Sequence, residues 1–120
     1  MDQNELKIRT KKFALRVIKL VEALPHTRTA DTLGRQLLRA GTSVGANYRA
    51  ACRARSAADF TSKMGIVEEE ADESVYWMEL IVDSGIIKIE KLRRLIAEAN
   101  ELTAIAVASI KTARRGKSVR

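Results

Sequence analysis

Apolar residues recur every three to four positions along four segments of the chain, which is the spacing of one helix face. No segment alternates between apolar and polar residues as a half-buried β-strand does. The pattern therefore predicts four amphipathic helices, at about 4–24, 31–55, 57–84 and 88–114. A basic tail over 115–120 follows the last of them, and we expect it to fray.

Residues typical of helix ends separate these segments. Pro25 ends the first helix, because proline disfavours helical backbone in the residue before it. Either Thr29 or Asp31 can cap the second helix with a side-chain oxygen. Ser56, with Asp59 three residues later, resembles a capping box at the start of the third helix.

Glycines have two different roles in this pattern. Gly85, after Ser84, is a typical C-terminal stop for the third helix. Gly41 and Gly45 lie inside the second helix, where each costs about 1 kcal/mol relative to alanine. A pair one turn apart either permits a close helix crossing or marks a bend. Four amphipathic helices with short connections predict one all-α domain, folded as an antiparallel up-down four-helix bundle.

The length and composition indicate an ordinary small globular protein. The chain has 120 residues, enough for one domain, and 46% of them are hydrophobic. Its single cysteine, Cys52, favours a reduced thiol rather than a disulfide. We expect no secretory signal in the charged N-terminal residues and no membrane partner, since no apolar run approaches about 18 residues. These features predict a cytoplasmic protein.

The sequence shows none of the motifs that carry catalysis. It has no phosphate loop, no dinucleotide-binding glycine pattern and no HExxH. His26 has no cysteine or histidine nearby at the spacing of metal ligands. The run at 68–70 is three glutamates, but no predicted helix carries the histidine that di-iron bundles need. We therefore predict no metal, no cofactor and no enzymatic activity.

Charge is unevenly distributed along the chain. The net charge is +7, yet residues 56–85 contain eight acidic residues and one basic residue. Basic residues outnumber acidic ones in each of the other segments, which are residues 1–24, 25–55 and 86–120. This asymmetry predicts pairing of charges within or between subunits, together with a basic outer surface.

Stripes of basic residues predict a surface that contacts phosphates. One stripe lies on the second helix, opposite its core face, and a shorter stripe lies on the first helix. A third group of basic residues clusters near the C-terminus. The predicted nucleic-acid-binding residues are Arg35, Arg39, Arg49, Arg53, Lys12, Arg16, Lys19, Lys111, Arg114, Arg115 and Lys117. Alternatively, some of these arginines pair with the acidic third helix. Aromatic residues make up only 4% of the chain, which disfavours base stacking and single strands.

The third helix has more apolar surface than one core stripe needs. Ile66, Trp77 and Leu80 project away from the core centre and share that face with Glu70 and Glu73. Because tryptophan is enriched at interfaces, we predict that these five residues form contacts between subunits. The alternative is a tryptophan that lies flat on the edge of its own bundle.

The segment QLLRAGTSVGAN at 36–47, followed by Arg55-Ser56 and Asp59-Phe60, resembles a family of bacterial four-helix bundle proteins. They are also called intervening-sequence proteins, because some are encoded inside large-subunit ribosomal RNA genes. The resemblance extends over nearly the whole chain. It departs from the family pattern at Gly45, where proline is common, and at Ala50-Ala51, where Glu-Gly is typical. The positions that match are Gln36, Arg39, Ser43, Asn47 and Glu73.

This resemblance implies a pentamer of four-helix bundles. The family is similar to the accessory variability protein of diversity-generating retroelements, a basic pentamer that binds nucleic acid and a reverse transcriptase. The implied partners are therefore other copies of the chain, RNA or DNA, and a reverse transcriptase or another protein. Our prediction is a homo-oligomeric bundle that binds structured nucleic acid. The alternative is a protein-interaction module whose charged helices serve only assembly.

Overall fold

A computed structural model describes the backbone of residues 1–119 and the side chains of residues 1–116. Its helices are α1 (Gln3–Glu22), α2 (Arg28–Cys52), α3 (Ala57–Asp83) and α4 (Ile89–Val119). The described backbone contains no β-strand. The all-helical fold class is thus confirmed.

The helix ends differ from the prediction by two residues or more at four places, three of them in α1 and α2. α1 ends at Glu22, two residues early, and α2 begins at Arg28 rather than at 31. α2 begins earlier because Thr27, and neither Thr29 nor Asp31, is its N-cap. The Thr27 hydroxyl accepts a hydrogen bond from the Ala30 amide at 3.1 Å. α2 also ends three residues early, at Cys52.

Residues 115–119 of the basic tail are helical rather than frayed, because α4 continues to Val119, and Arg120 lies outside the described residues. Lysine and arginine are good helix formers, and their positive charge near a helix C-terminus interacts favourably with the helix dipole. The tail therefore extends the helix instead of ending it.

Both ends of α3 follow the local signals in the sequence. The Ser56 hydroxyl accepts a hydrogen bond from the Asp59 amide at 3.0 Å, and the Asp59 carboxylate accepts one from the Arg55 amide at 3.3 Å. Gly85 adopts a φ of +80°, and the Ile86 amide donates to the Ile81 carbonyl at 3.1 Å. This is a Schellman ending, which needs a residue that tolerates left-handed backbone.

The dimensions of the chain determine how the helices lie. The molecule measures 53 × 21 × 20 Å. Even the 20 residues of α1 span about 30 Å, so every helix must run along the long axis. Short turns then reverse the direction at each connection and produce an up-down bundle. Each helix packs on the next, and α1 also contacts α4 along a shorter seam.

One hydrophobic core runs the length of the bundle and takes residues from all four helices. The buried polar side chains found in it, Thr10 and Ser74, donate hydrogen bonds to the carbonyls of Leu6 and Glu70 one turn earlier. The largest fully buried side chains include Phe13, Leu37, Met64, Met78, Ile81, Leu92 and Leu102.

Within the described residues, no helix has the length and apolar character to cross a bilayer.

The two glycines inside α2 permit a close approach of α1. A Cβ atom added at Gly41 would lie 2.8 Å from Val17 Cγ2, and one added at Gly45 would lie 3.2 Å from Thr10 Oγ1. Val17 and Thr10 occupy the space that these side chains would need. Of the two alternatives for the glycine pair, the close crossing is therefore present.

We predict that Gly41→Ala destabilises the protein although alanine is the better helix former. The gain in helix propensity is about 1 kcal/mol, but the new methyl group would clash with both branches of Val17, and overpacking costs about 1–3 kcal/mol. The control is Gly65→Ala in α3, where an added Cβ meets nothing within 4 Å.

Urea denaturation should show a lower free energy of unfolding for Gly41→Ala and a higher one for Gly65→Ala. Equal stabilisation by both substitutions would contradict the close packing of α1 on α2.

Candidate nucleic-acid interface

The arginine stripe of α2 does not act as one surface. Arg39 faces α3, where its guanidinium lies 3.3 Å from Glu70 Oε2 and 3.2 Å from Glu73 Oε2. Both contacts raise the pKa of Arg39. Glu70 is largely buried, and this burial raises the pKa of its carboxyl group in spite of the nearby arginine. Arg39 therefore pairs with the acidic helix, which was the alternative to phosphate contact, and it bridges α2 and α3.

Arg49 and Arg53 lie on the other flank of α2, along the groove between α1 and α2. Lys7 and Lys11 face them from α1. The groove has a volume of about 400 Å³, and a floor of small residues separates its basic walls. We call this surface the basic groove. Its lining residues are Lys7, Ile8, Thr10, Lys11, Ala14, Thr42, Gly45, Ala46, Arg49 and Arg53.

The basic stripe predicted on α1 (Lys12, Arg16 and Lys19) does not line the basic groove. Lys12 and Lys19 are exposed, but neither lines the basic groove. Arg16 is close enough to Glu98, on α4, to help lower the pKa of that carboxyl group. These three residues therefore do not line the groove with Arg49 and Arg53. Lys7 and Lys11, which the sequence pattern did not single out, take their place beside the α2 arginines.

The remaining predicted residues are distributed over both ends of the bundle. Arg35 lines a separate concavity between α1 and α2 that also contains Glu22, His26 and Asp31. At the opposite end, Lys111 and Arg114 line a groove between α3 and α4 beside Glu68 and Glu69. Arg115 is exposed near the end of α4. The side chain of Lys117 lies outside the described residues.

An ion-pair cluster that the sequence pattern did not predict joins α1 to α4. Arg9 Nε and Nη2 donate to the two carboxylate oxygens of Glu98, each at 2.7 Å, and Nη2 also lies 2.6 Å from Glu101 Oε2. The bidentate hydrogen bond lowers the pKa of Glu98 and raises that of Arg9. The signal available in the sequence was the spacing of Glu98 and Glu101, three residues apart on α4. This spacing does not identify Arg9 as their partner.

The predicted subunit interface on α3 is only partly exposed. Trp77 packs against the core of its own bundle, and Leu80 is half-buried. The Trp77 indole nitrogen is buried and has no hydrogen-bond partner in the described part of the chain. Ile66 is 39% exposed, and Tyr76, which the sequence analysis did not name, is 54% exposed. Trp77 thus resembles the alternative of a tryptophan on its own bundle edge.

A metal site has no set of ligands in the described structure. No group of three or more histidine, cysteine, aspartate or glutamate side chains in residues 1–116 is placed to hold an ion. The acidic residues of α3 instead contact basic side chains or solvent: Asp59 pairs with Lys63 at 2.9 Å, and Glu70 and Glu73 pair with Arg39.

Comparison with known proteins identifies the family of the chain. The model for 23S rRNA-intervening sequence proteins matches residues 3–108. The chain belongs to this family. Among solved structures, this intervening-sequence protein is similar to one from Bacteroides thetaiotaomicron, described as a protein with unknown function from the S23 ribosomal protein family. The two are 34% identical, with a TM-score of 0.82, and the match covers 88% of this chain and 97% of the other.

A search of curated proteins found no match. The family resemblance carried by residues 36–47 is confirmed, and the structure shows what its positions contact in this intervening-sequence protein. Asn47 donates to the Ser43 carbonyl at 2.8 Å, and Ser43 donates to the Arg39 carbonyl at 2.6 Å. Arg39 in turn contacts Glu73. Four matching positions therefore form a connected line from α2 to α3.

We predict that Arg9→Ala lowers the free energy of unfolding by about 1–2 kcal/mol at pH 7, since the pair is bidentate but a quarter exposed. Lys12→Ala, an exposed position on the same helix, should change it by about 0.5 kcal/mol or less.

The difference between wild type and Arg9→Ala should depend on pH. The folded-state pKa of Glu98 lies below its ordinary value of 4.5, so the stabilisation is present above that pH and is lost as pH falls through the folded value. Thermal melts at pH 7 and pH 3 measure this. A difference at pH 7 no larger than that of Lys12→Ala would show that the ion pair contributes nothing.

Proposed function

We propose that the protein is a homo-oligomeric helical bundle, pentameric as the family resemblance implies, that binds structured nucleic acid through the phosphates. The supporting observation is the positive charge left over after the internal pairs are formed. Arg49 and Arg53, with Lys7 and Lys11, form no ion pair within residues 1–116. The paired carboxylates of α3 and α4 (Asp59, Glu70, Glu73, Glu98 and Glu101) contact other bases, which leaves this side of the bundle available to a polyanion.

The distribution of aromatic side chains favours contact with the backbone rather than with bases. Phe13 and Tyr48 are buried, and Phe60 and Trp77 are half-buried. Tyr76 is exposed, but it lies on the acidic helix α3 and packs edge-on against Trp77. A platform for stacking single-stranded bases needs exposed rings in a basic groove. Phosphate contacts alone give little sequence preference.

Oligomerisation rests on the family resemblance and on the exposed apolar surface of α3. Ile66 and Tyr76 are large apolar side chains that α3 leaves exposed. Arg39, Glu70 and Glu73 lie beside this patch and would form its polar rim. A reverse transcriptase or another protein is a further partner that the resemblance implies.

The alternative function is a protein-interaction module whose charges serve only assembly. The contact of Arg39 with two α3 carboxylates favours it, because one arginine of the predicted stripe is occupied by protein rather than phosphate. In both proposals the protein is not an enzyme and acts in the cytoplasm, in keeping with its single thiol and the lack of a catalytic motif in the sequence.

Light scattering on a sizing column tests the assembly. Wild type should have a mass several times the 13.3 kDa of one chain. Ile66→Glu should shift it toward the monomer, because a charge buried without a partner in an apolar interface costs several kcal/mol. Leu15→Glu, at a 53% exposed position of α1, is the matched control and should leave the mass unchanged. A monomeric wild type would refute the oligomer.

Retention on duplex RNA and DNA tests the binding. Affinity should fall steeply with salt, since each neutralised phosphate adds about 0.9 to the slope of log K against log salt on a duplex. Affinities for duplexes of unrelated sequence should be similar. Wild type that shows no retention at about 50 mM salt, where such contacts are strong, would favour the interaction module.

A further inference from the structure

We propose that the basic groove between α1 and α2 is the site where the phosphodiester backbone of a nucleic-acid strand lies. This inference rests on the proposed function and assigns it to one surface. It differs from the sequence prediction, because Lys7 and Lys11 replace Lys12, Arg16 and Lys19 as the α1 contribution.

The groove is basic on both walls and contains no acidic residue. Lys7 and Lys11 stand on one wall, and Arg49 and Arg53 stand on the other. Two other concavities carry carboxylates among their bases: the one around Arg35 contains Glu22 and Asp31, and the one around Lys111 contains Glu68 and Glu69. A polyanion in the basic groove is therefore attracted by both walls. It is not repelled by carboxylates, as it would be in the concavities that contain glutamate and aspartate.

The spacing of the cations suits a phosphate chain. On each helix the two basic residues are four positions apart, which is one turn or about 6 Å. A single strand of a duplex presents one phosphate for about every 3.4 Å of axis. Two walls with this spacing can neutralise several consecutive phosphates of one strand, whereas an isolated surface arginine neutralises one.

The floor of the groove is open because its residues are small. Gly45, Ala46 and Ala14 place no long side chain between the two basic walls. Gly45 is small because α1 packs against it, so the same close approach that joins the helices also keeps the floor shallow and accessible. A larger neutral residue on this floor should block the strand without changing any charge.

Two double variants with equal charge separate the groove from general electrostatics. Lys7→Gln/Lys11→Gln removes one wall, and Lys12→Gln/Lys19→Gln removes two exposed lysines of the same helix outside the groove. On duplex RNA the first variant should lower the salt slope by about 1.8, because two phosphate contacts are lost at about 0.9 each. The second should keep the slope of wild type.

Equal losses in the two variants would overturn the groove assignment alone. Wild type that fails to bind duplex RNA would overturn the assignment together with the proposed function. A polyglutamate peptide tests an acidic protein segment as the occupant: at equal charge concentration it should displace little RNA, and complete displacement would contradict a site for the phosphodiester backbone.

The floor is tested by Ala46→Leu, which fills the groove and keeps its charge and helix propensity. Affinity for duplex RNA should fall about tenfold, equivalent to about 1.4 kcal/mol. Ala104→Leu, at an exposed position of α4, is the control and should bind as wild type does. Unchanged affinity for Ala46→Leu, with both variants folded by circular dichroism, would overturn the proposal.

Discussion

The close approach of α1 to α2 is the constraint on which the other features of this bundle depend. Gly41 and Gly45 leave space that Val17 and Thr10 fill, so the register and the rotation of α1 on α2 are both determined. A shift of one residue would turn α1 by about 100° and place side chains where only a glycine fits. The packing of two glycines therefore decides which basic residues of the two helices meet.

The charges of the bundle are divided according to the same geometry. Between α2 and α3, Arg39 pairs with Glu70 and Glu73, and between α1 and α4, Arg9 pairs with Glu98 and Glu101. These pairs lie across two seams of the bundle and hold neighbouring helices together. The α1–α2 seam has no such pair in the described chain, and close packing at Gly41 and Gly45 joins the two helices there. Its bases are left for a partner.

Local signals predicted the elements, and non-local packing determined the site. Helical periodicity, the Ser56 cap and the Gly85 stop act within a few residues, so they could be recognised in the sequence. Helical spacing also grouped Lys12, Arg16 and Lys19 into one stripe on α1. It could not show that residues flanking the core, such as Lys7 and Lys11, would meet Arg49 and Arg53, because that depends on where α2 lies relative to α1.

Chemical-shift mapping of the backbone amides with a short RNA duplex would locate the nucleic-acid-binding surface without any substitution. We expect shifts to change mainly over residues 7–14 of α1 and over residues 42–53, which span the end of α2 and its C-cap, and we expect the changes to vanish at high salt. Changes spread evenly over the exposed basic residues, or concentrated on α4, would contradict binding in the basic groove.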